Sequence, residues 1–337
     1  DLPVVEGTYT QVFASDIMGM ALAALSPDER WIVFNGSTST DDGNLFIVST
    51  SGGDPFPVET DPLYSHGVVW FPSGDRIAFR HGYHIASLGI DPATGRPRGD
   101  LQRVTLEQSH AYFDISPDGE WIAYTPLDEN GNRVIRVVPS NGGIARTIVE
   151  EGTTRPAWAP DGKSIYYVTD RMDSPEGVLK RITVENGDRA PGAEPEEVLT
   201  HMGHIGTCTY PGSAFVWLSG FGTPEAPRVA VTTLDGEGLA LVQLEEGMRI
   251  RGFSSDGRTM LAELHGEEAP LRVLSVAGGP PRTLQRTNSK PLAWTPDGNR
   301  VLFETALDGR PRLFLTDASG GRMTELRLPE SPGEPAQ

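Results

Sequence analysis

Short apolar runs alternate with turn-forming residues along almost the whole chain. An apolar run stops at a turn of the Pro-Asp-Gly kind and a second run follows, as in the turn at residues 116–119 and the run at residues 121–124. Proline presets φ at the first central position of a type I turn, Asp tolerates the second, and Gly accepts the positive φ that returns the chain to a strand. Each copy therefore predicts an antiparallel β-hairpin.

The turn recurs seven times at a nearly constant spacing. The copies begin at Ser26, Phe71, Ser116, Ala159, Tyr210, Ser254 and Thr295. Successive copies are 41 to 51 residues apart, which is the period of a four-stranded propeller blade. The sequence therefore predicts an all-β fold, a seven-bladed β-propeller with four antiparallel strands in each blade.

The repeat fills almost the whole chain, so we expect one domain, because no single blade buries both of its faces. We expect an N-terminal arm at residues 1–14, a single propeller at residues 15–328 and a Pro/Glu tail at residues 329–337. The blades are expected at residues 15–60, 61–105, 106–150, 151–200, 201–245, 246–286 and 287–328. The sequence leaves open whether the arm adds a strand to the last blade.

Charge and composition limit the partners. The 337 residues carry a formal net charge of −18, whereas nucleic acids and anionic membrane surfaces attract a basic footprint. We therefore expect neither as a partner. No apolar run reaches the length of a membrane span, so we expect no membrane insertion, and we expect a monomer. The chain begins with Asp rather than Met, which indicates either a removed leader or a shortened chain; with a removed leader we expect a periplasmic or secreted location.

Two complete copies of the repeat carry a resemblance to a known family. Residues 116–124 (SPDGEWIAY) and 156–167 (PAWAPDGKSIYY) resemble the repeat of TolB-like β-propellers, which also form the non-catalytic propeller of prolyl oligopeptidase relatives. The resemblance covers residues 15–328 and implies the fold, since propellers host unrelated activities. TolB resembles a six-bladed ring joined to a small α/β domain, whereas seven units are counted here. The Gly-x-Ser-x-Gly elbow of a catalytic hydrolase domain does not occur.

All seven histidines are expected on one rim of the ring. In a four-strand meander the first-to-second and third-to-fourth turns lie on one rim, here called the turn rim. The second-to-third links and the links between blades lie on the opposite rim, here called the link rim. Blade-to-blade links hold His66, His110, His201 and His204, and second-to-third links hold His81, His84 and His265. A His-x-x-His spacing in a strand supports chelation only if the backbone turns.

Three of these histidines are expected where the innermost strands enter the central channel, namely His66, His110 and His204. Imidazoles that converge from several blades bind transition metals, so we predict them as candidate ligands of a divalent metal ion. The equivalent stretches of other blades supply candidate groups for a ligand carboxylate or phosphate; they are Arg155, Arg249, Arg251 and Lys290. The alternative is that the histidines gather in polar links without converging and that the basic side chains pair with nearby Asp and Glu.

Two classes of function fit this pattern. The first, which we favour, is an extracytoplasmic binding or scaffold module that holds a protein, a peptide or a small anionic ligand on the link rim at the channel mouth. The second is a metal-dependent lyase or hydrolase, similar in architecture to the seven-bladed oligogalacturonate lyases. Only the residue types match that family, with no aligned motif; the hypothesis for this chain is that His66, His110 and His204 bind the metal and that Arg155 or Arg251 holds an anionic substrate. The chain also fits the propeller half of a larger hydrolase, and whether it is an enzyme stays open.

Overall fold

The structure is a computed structural model that describes residues 10–11, 18–38, 41–51, 53–58, 65–107, 109–150, 154–170, 176–202, 205–208, 215–223, 226–233, 240–254, 256–264, 270–285, 289–307, 310–319 and 323–327. Within these residues the regular elements are thirty β-strands, and none is a helix. The strands form seven separate sheets, one in each unit of the sequence repeat. The all-β prediction is therefore confirmed.

The first three sheets follow the chain in order, after a short strand β1 (Thr10–Gln11) that belongs to the last sheet. Sheet 1 contains β2 (Met18–Leu25), β3 (Trp31–Thr38), β4 (Asp41–Ser49) and β5 (Phe56–Pro57). Sheet 2 contains β6 (Ser65–Trp70), β7 (Arg76–His81), β8 (His84–Ile90) and β9 (Pro97–Arg103). Sheet 3 contains β10 (Ser109–Ile115), β11 (Trp121–Pro126), β12 (Ile135–Pro139) and β13 (Arg146–Val149).

Four more sheets complete the set. Sheet 4 contains β14 (Thr154–Trp158), β15 (Ser164–Asp170), β16 (Glu176–Glu185), β17 (Asp188–Arg189) and β18 (Glu196–Met202). Sheet 5 contains β19 (Ile205–Cys208), β20 (Phe215–Thr223), β21 (Ala226–Thr233) and β22 (Ala240–Gln243). Sheet 6 contains β23 (Met248–Phe253), β24 (Thr259–Leu264), β25 (Leu271–Ser275) and β26 (Arg282–Gln285). Sheet 7 contains β27 (Ser289–Trp294), β28 (Arg300–Leu307), β29 (Arg310–Asp317) and β30 (Met323–Arg327).

The Pro-Asp-Gly turns join the first two strands of their sheets, as predicted. In sheet 3 the Gly119 N–H donates to the Ser116 carbonyl at 2.8 Å, and the Ser116 N–H donates to the Trp121 carbonyl at 2.9 Å. The Ser116 hydroxyl accepts from the Trp121 N–H at 2.9 Å and donates to Asp118. Gly119 has a φ of +75°, so a glycine suits the last position of the turn. The copy that begins at Tyr210 lies outside the described residues.

The apolar core lies between neighbouring sheets. Shared clusters of buried side chains join sheets 1 and 2, 2 and 3, 3 and 4, 5 and 6, and 6 and 7, while β16 of sheet 4 contacts β19 of sheet 5. Sheet 1 also packs against sheet 7, where Phe34 meets Leu302 in one cluster. Each sheet thus covers the next and the last covers the first, so the sheets form a closed ring. Three tryptophans at the same strand position lie in these clusters; they are Trp70, Trp158 and Trp294.

Two sheets depart from the predicted four antiparallel strands. In sheet 7, β1 adds a parallel fifth strand, with Thr10 opposite Leu326, so the arm does join the last sheet. In sheet 4, Asn186 and Gly187 have φ values of +49° and +69°, which a two-residue hairpin turn requires. This turn forms the short strand β17, and β18 then pairs with β16. His201 consequently lies in β18 and not in a link between sheets, where the sequence placed it.

Candidate functional site

Six of the seven predicted channel-mouth residues lie on innermost strands, but most of their side chains are outside the described part of the structure. The backbones of His66, His110, Arg155, Arg249 and Lys290 belong to β6, β10, β14, β23 and β27, and nothing further is described for their side chains. His204 and His265 lie outside the described residues altogether. The predicted metal set therefore stays a prediction. Among the described side chains, no group of three or more His, Cys, Asp and Glu could hold a metal ion.

A β-bulge recurs in the innermost strands near these positions. The pairing of innermost and second strand shifts register in six of the seven described sheets. The shifts fall between His66 and Val69 in sheet 2, between Ser109 and Phe113 in sheet 3, and between Ile250 and Gly252 in sheet 6. A bulge redirects the side chains it contains. The two-residue alternation of a regular strand therefore does not predict which face of the sheet the side chains of His110 and Arg251 occupy.

Arg251 is the predicted ligand-binding residue whose side chain is described. It is half-exposed, and its guanidinium pairs with the carboxylate of Glu263 on the adjacent strand β24. This is the arrangement that the alternative interpretation of the basic residues expected, in which they pair with nearby acidic groups. A ligand carboxylate at Arg251 would have to share or displace Glu263.

His81 and His84 lie on the link rim, as predicted. They face each other as a cross-strand pair that flanks the turn at residues 82–83, so the backbone does turn between them. The Nδ1 atom of His84 lies 3.0 Å from Nη2 of Arg103 and 3.1 Å from the carbonyl oxygen of Glu107. Because an arginine only donates, Nδ1 accepts from Arg103 when the ring proton is on Nε2, and it donates to the Glu107 carbonyl when the proton is on Nδ1.

Arg103 holds the link between sheets 2 and 3. Its Nε donates to the carbonyl of Thr105 at 2.9 Å and its Nη2 donates to the carbonyl of Leu106 at 2.6 Å. The hydroxyl of Thr105 in turn accepts from the Ile85 N–H at 3.0 Å. This link is therefore fixed to β8, and it presents Leu106 and Glu107 at the entrance to sheet 3.

Glu107 is a half-buried carboxylate between sheets 2 and 3. It accepts a hydrogen bond from the buried hydroxyl of Tyr124 and pairs with Nη1 of Arg136 at 3.3 Å. Burial alone would raise the pKa of Glu107, but the bonds from Tyr124 and Arg136 outweigh it and leave that pKa below its ordinary value. Burial and the bond to Glu107 raise the pKa of Tyr124. The tyrosine therefore remains a neutral donor, and the cluster is a fixed polar support.

Exposed apolar side chains surround this support. Tyr83 is 57% exposed, Leu106 72%, Tyr112 40% and Leu127 42%, and we call these four residues the link-rim patch. Among the described residues a fifth large apolar side chain is exposed, Ile144 at 87%, and it lies in the β12–β13 hairpin on the turn rim. Sequence reasoning missed the patch, because its members come from three links and one bulge with no common motif.

Hydrogen bonds and one strand pairing join the segments that carry the patch. Arg103 bridges His84, the neighbour of Tyr83, to the carbonyl of Leu106. Ser109 pairs with Pro126, the neighbour of Leu127, and the Thr125 hydroxyl donates to the Tyr112 carbonyl at 3.3 Å. The four side chains are thus presented by neighbouring segments on a rigid framework of sheets 2 and 3.

No family profile and no curated relative matches the chain, but solved structures do. Oligogalacturonate lyase in complex with manganese is 16% identical, with 88% of each chain covered and a TM-score of 0.64. A prolyl endopeptidase is 14% identical, with 92% of this chain and 49% of that chain covered and a TM-score of 0.63. TolB from Acinetobacter baumannii is 17% identical, with 89% of this chain and 61% of that chain covered and a TM-score of 0.46.

The chain folds as a β-propeller. The likeness to the prolyl endopeptidase and to the lyase, together with the ring of antiparallel sheets, confirms the predicted resemblance at the level of the fold. At these identities it extends no further. The propeller spans about half of the prolyl endopeptidase and 61% of the TolB chain. No helix in the described part of the propeller is long and apolar enough to cross a membrane.

Proposed function

We propose that this chain is a seven-bladed propeller that acts as a binding module and holds a protein or peptide partner on its link rim. The observation that supports this most is the link-rim patch, which gathers four of the five large exposed apolar side chains of the described residues. Contiguous exposed apolar groups on a rigid frame are typical of protein-binding surfaces. Tyrosine is also enriched among the residues that dominate binding energy.

The charges around the patch are of both signs. The chain as a whole has a net charge of −18, and the segments that present the patch contain the carboxylates Asp128 and Glu129 as well as Arg103 and Arg133. Glu107, which lies beside them, is already paired with Arg136. A peptide partner would place its apolar side chains on Tyr83 and Leu106 and its charged groups against the mixed charges at the edge of the patch. A location outside the cytoplasm belongs to the same proposal and rests on the resemblance to TolB-like propellers.

A site-specific photocrosslink tests the binding module. A benzophenone amino acid at position 106 is expected to capture one protein in cells of the source organism, and the same group at position 144 is expected not to. The captured protein is then purified and titrated against the propeller. Leu106→Ser and Tyr83→Ser are each expected to weaken that binding at least tenfold, since apolar anchors at the centre of an interface contribute more than about 1.4 kcal/mol.

Ile144→Ser is the control, because it removes an exposed apolar side chain that is not a member of the link-rim patch. Equal capture at positions 106 and 144, or equal loss of affinity in Leu106→Ser and Ile144→Ser, would contradict the proposal. The metal-dependent lyase that the sequence also suggested is a separate proposal. The metal content of the purified protein, measured before and after chelator treatment, tests it directly.

A further inference from the structure

A cavity opens on the turn rim between sheets 3 and 4. It has a volume of about 430 Å³, and ligand sites commonly have volumes of about 300–1,000 Å³. Its lining includes Asp118 and Trp121 of sheet 3 and Lys163, Glu185 and Gly187 of sheet 4. These residues belong to the Pro-Asp-Gly turns and to the hairpin between β16 and β17, so the cavity lies on the rim opposite the link-rim patch.

The propeller contains an equivalent arrangement between sheets 1 and 2. Trp31 and Trp121 each begin a second strand, and each packs on the last loop glycine of a hairpin in a neighbouring sheet. An added Cβ would lie 2.3 Å from the ring of Trp31 at Gly95 and 2.2 Å from the ring of Trp121 at Gly187. The same three ring atoms, Cδ2, Cε3 and Cζ3, are nearest in both cases. The two indoles therefore share one orientation relative to their hairpin glycines.

The two hairpins differ in length. In sheet 2 the loop has four residues, 92–95, and the indole N–H of Trp31 donates to the carbonyl of Pro92 at 2.9 Å. In sheet 4 the loop has two residues, 186–187, because Glu185 pairs directly with Asp188. The shorter hairpin lacks the two residues that begin the loop of sheet 2. The space that they would occupy beside Trp121 therefore stays open.

The indole N–H of Trp121 is left available as a result. No acceptor for it exists among the described residues, and its nitrogen is not buried, unlike the indole nitrogens of Trp158 and Trp294. The ring itself is fixed by Gly187 on the hairpin and by Arg146, whose guanidinium lies 5.8 Å from the ring centroid. A donor that packing already holds in place binds an acceptor at little cost in conformational entropy.

We propose that this cavity binds a short, proline-containing peptide segment of another chain, which places one backbone carbonyl on the indole N–H of Trp121. Pro92 gives Trp31 such a carbonyl within the propeller itself. Proline-containing segments bind aromatic-lined grooves because they lose little entropy on binding. The lining charges have both signs, from Asp118, Lys163 and Glu185, so the segment needs no net charge. This inference does not depend on partner binding at the link-rim patch.

NMR of the whole chain with isotope-labelled tryptophan tests the proposal. The chain has six tryptophans, and the variants Trp121→Phe and Trp31→Phe assign the two indole N–H signals concerned. The probe is trifluoroacetyl-Pro-Ala-Thr-Gly-amide, which is the neutral loop of sheet 2 supplied as a free peptide. We expect the Trp121 signal to shift saturably with peptide concentration while the Trp31 signal stays constant.

Fluorine NMR of the peptide gives the affinity of each variant. Trp121→Phe removes the donor and is expected to weaken binding about threefold to tenfold. Trp31→Phe is the matched control and is expected to leave the affinity unchanged, because that indole N–H is already bonded to Pro92. Insertion of Pro-Ala between Glu185 and Asn186 gives the hairpin the length of its counterpart in sheet 2 and is expected to abolish binding.

A second peptide, in which an alkene replaces the Pro-Ala amide, lacks the carbonyl. It is expected to bind the wild type about threefold to tenfold more weakly and to bind Trp121→Phe no more weakly than the wild type. A Trp121 signal that does not respond, equal losses in Trp121→Phe and Trp31→Phe, or equal affinities of the two peptides for the wild type would overturn the proposal. If Trp121→Phe or the insertion does not fold, the two peptides on the wild type decide.

Discussion

Asp114 is a buried acid at a position where the other described innermost strands carry small or apolar residues. Its Oδ2 accepts from the Trp158 N–H of the next sheet at 2.8 Å, and its Oδ1 accepts from the Ile115 N–H at 3.0 Å. Burial raises the pKa of Asp114 from 3.8 to about 7, although both hydrogen bonds act in the opposite direction. A single side chain therefore links sheets 3 and 4 and couples the stability of their contact to pH.

The raised pKa of Asp114 predicts how stability depends on pH. The folded protein keeps this proton up to about pH 7, whereas the unfolded chain releases it near pH 3.8. The stabilisation is therefore complete below pH 3.8 and is lost as the pH rises to about 7. Asp114→Asn removes this dependence. The free energy of unfolding of the variant relative to the wild type is expected to rise by on the order of 2–4 kcal/mol between pH 4 and pH 8.

Denaturant unfolding of both proteins at several pH values gives this difference, and effects of the other carboxyl groups cancel in it. The control is Asp161→Asn, because the Asp161 carboxylate also accepts a backbone N–H, from Lys163 at 2.9 Å, but is exposed. If Asp114→Asn and the wild type follow parallel curves, the buried carboxyl does not titrate in this range.

At the scale of the strands, two tryptophans that each begin a second strand, Trp31 and Trp121, join neighbouring sheets. Trp31 of β3 donates its Nε1–H to the Pro92 carbonyl of sheet 2 at 2.9 Å. Trp121 of β11 packs on Gly187 of sheet 4, where an added Cβ would lie 2.2 Å from the indole ring. The hairpin of sheet 4 therefore needs a glycine for its positive φ and also for the close approach of Trp121.

Gly187→Ala separates these two needs, since Gly192 offers a matched control. Both glycines have φ near +70°, but an added Cβ at Gly192 meets nothing within 4 Å. Each alanine is expected to cost about 1 kcal/mol through backbone conformation. Gly187→Ala is expected to cost a further 1–3 kcal/mol by displacing Trp121. Thermal unfolding of both variants measures the difference, and equal losses would show that the indole does not constrain this hairpin.

The hairpins could be predicted because their turn chemistry is local. Ser116, Asp118 and Gly119 carry the information for their turn within four residues, so the repeat gave the strand order directly. The bulges have no such local signal, because a register shift depends on the partner strand. The direction of the Arg251 side chain therefore could not be predicted from the sequence. Asn186-Gly187 is itself a local hairpin signal, but the repeat predicts only four strands per unit and so does not predict the extra strand β17. The link-rim patch depends on which loops become neighbours, which no local pattern encodes.

The closure of the ring is a property of the whole molecule, and one turn that breaks the rule of the others takes part in it. Glu29 occupies the place where the other described turns have glycine, and it has a φ of +58°. That backbone costs a non-glycine residue about 1–2 kcal/mol. In return Glu29 accepts from the Asp297 N–H at 3.2 Å and pairs with Arg300, so the first turn is bonded to sheet 7.

We expect this contact to hold the first and last sheets together more than an ordinary surface ion pair does. The Glu29 carboxylate is 16% exposed, and charge-assisted hydrogen bonds at such sites contribute about 1.5–3 kcal/mol. Arg300→Met is expected to lower the melting temperature by several degrees and to speed hydrogen exchange in β2 and β27, with β10 and β11 unchanged.

Arg258→Met is the control, because Arg258 is 87% exposed and its Nε lies 3.9 Å from the Asp256 carboxylate of its own turn. Equal effects of the two variants would mean that closure resides in the apolar cluster of Phe34 and Leu302 and in strand β1. A larger effect of Arg300→Met confined to sheets 1 and 7 would identify the first turn as the closing contact of the ring.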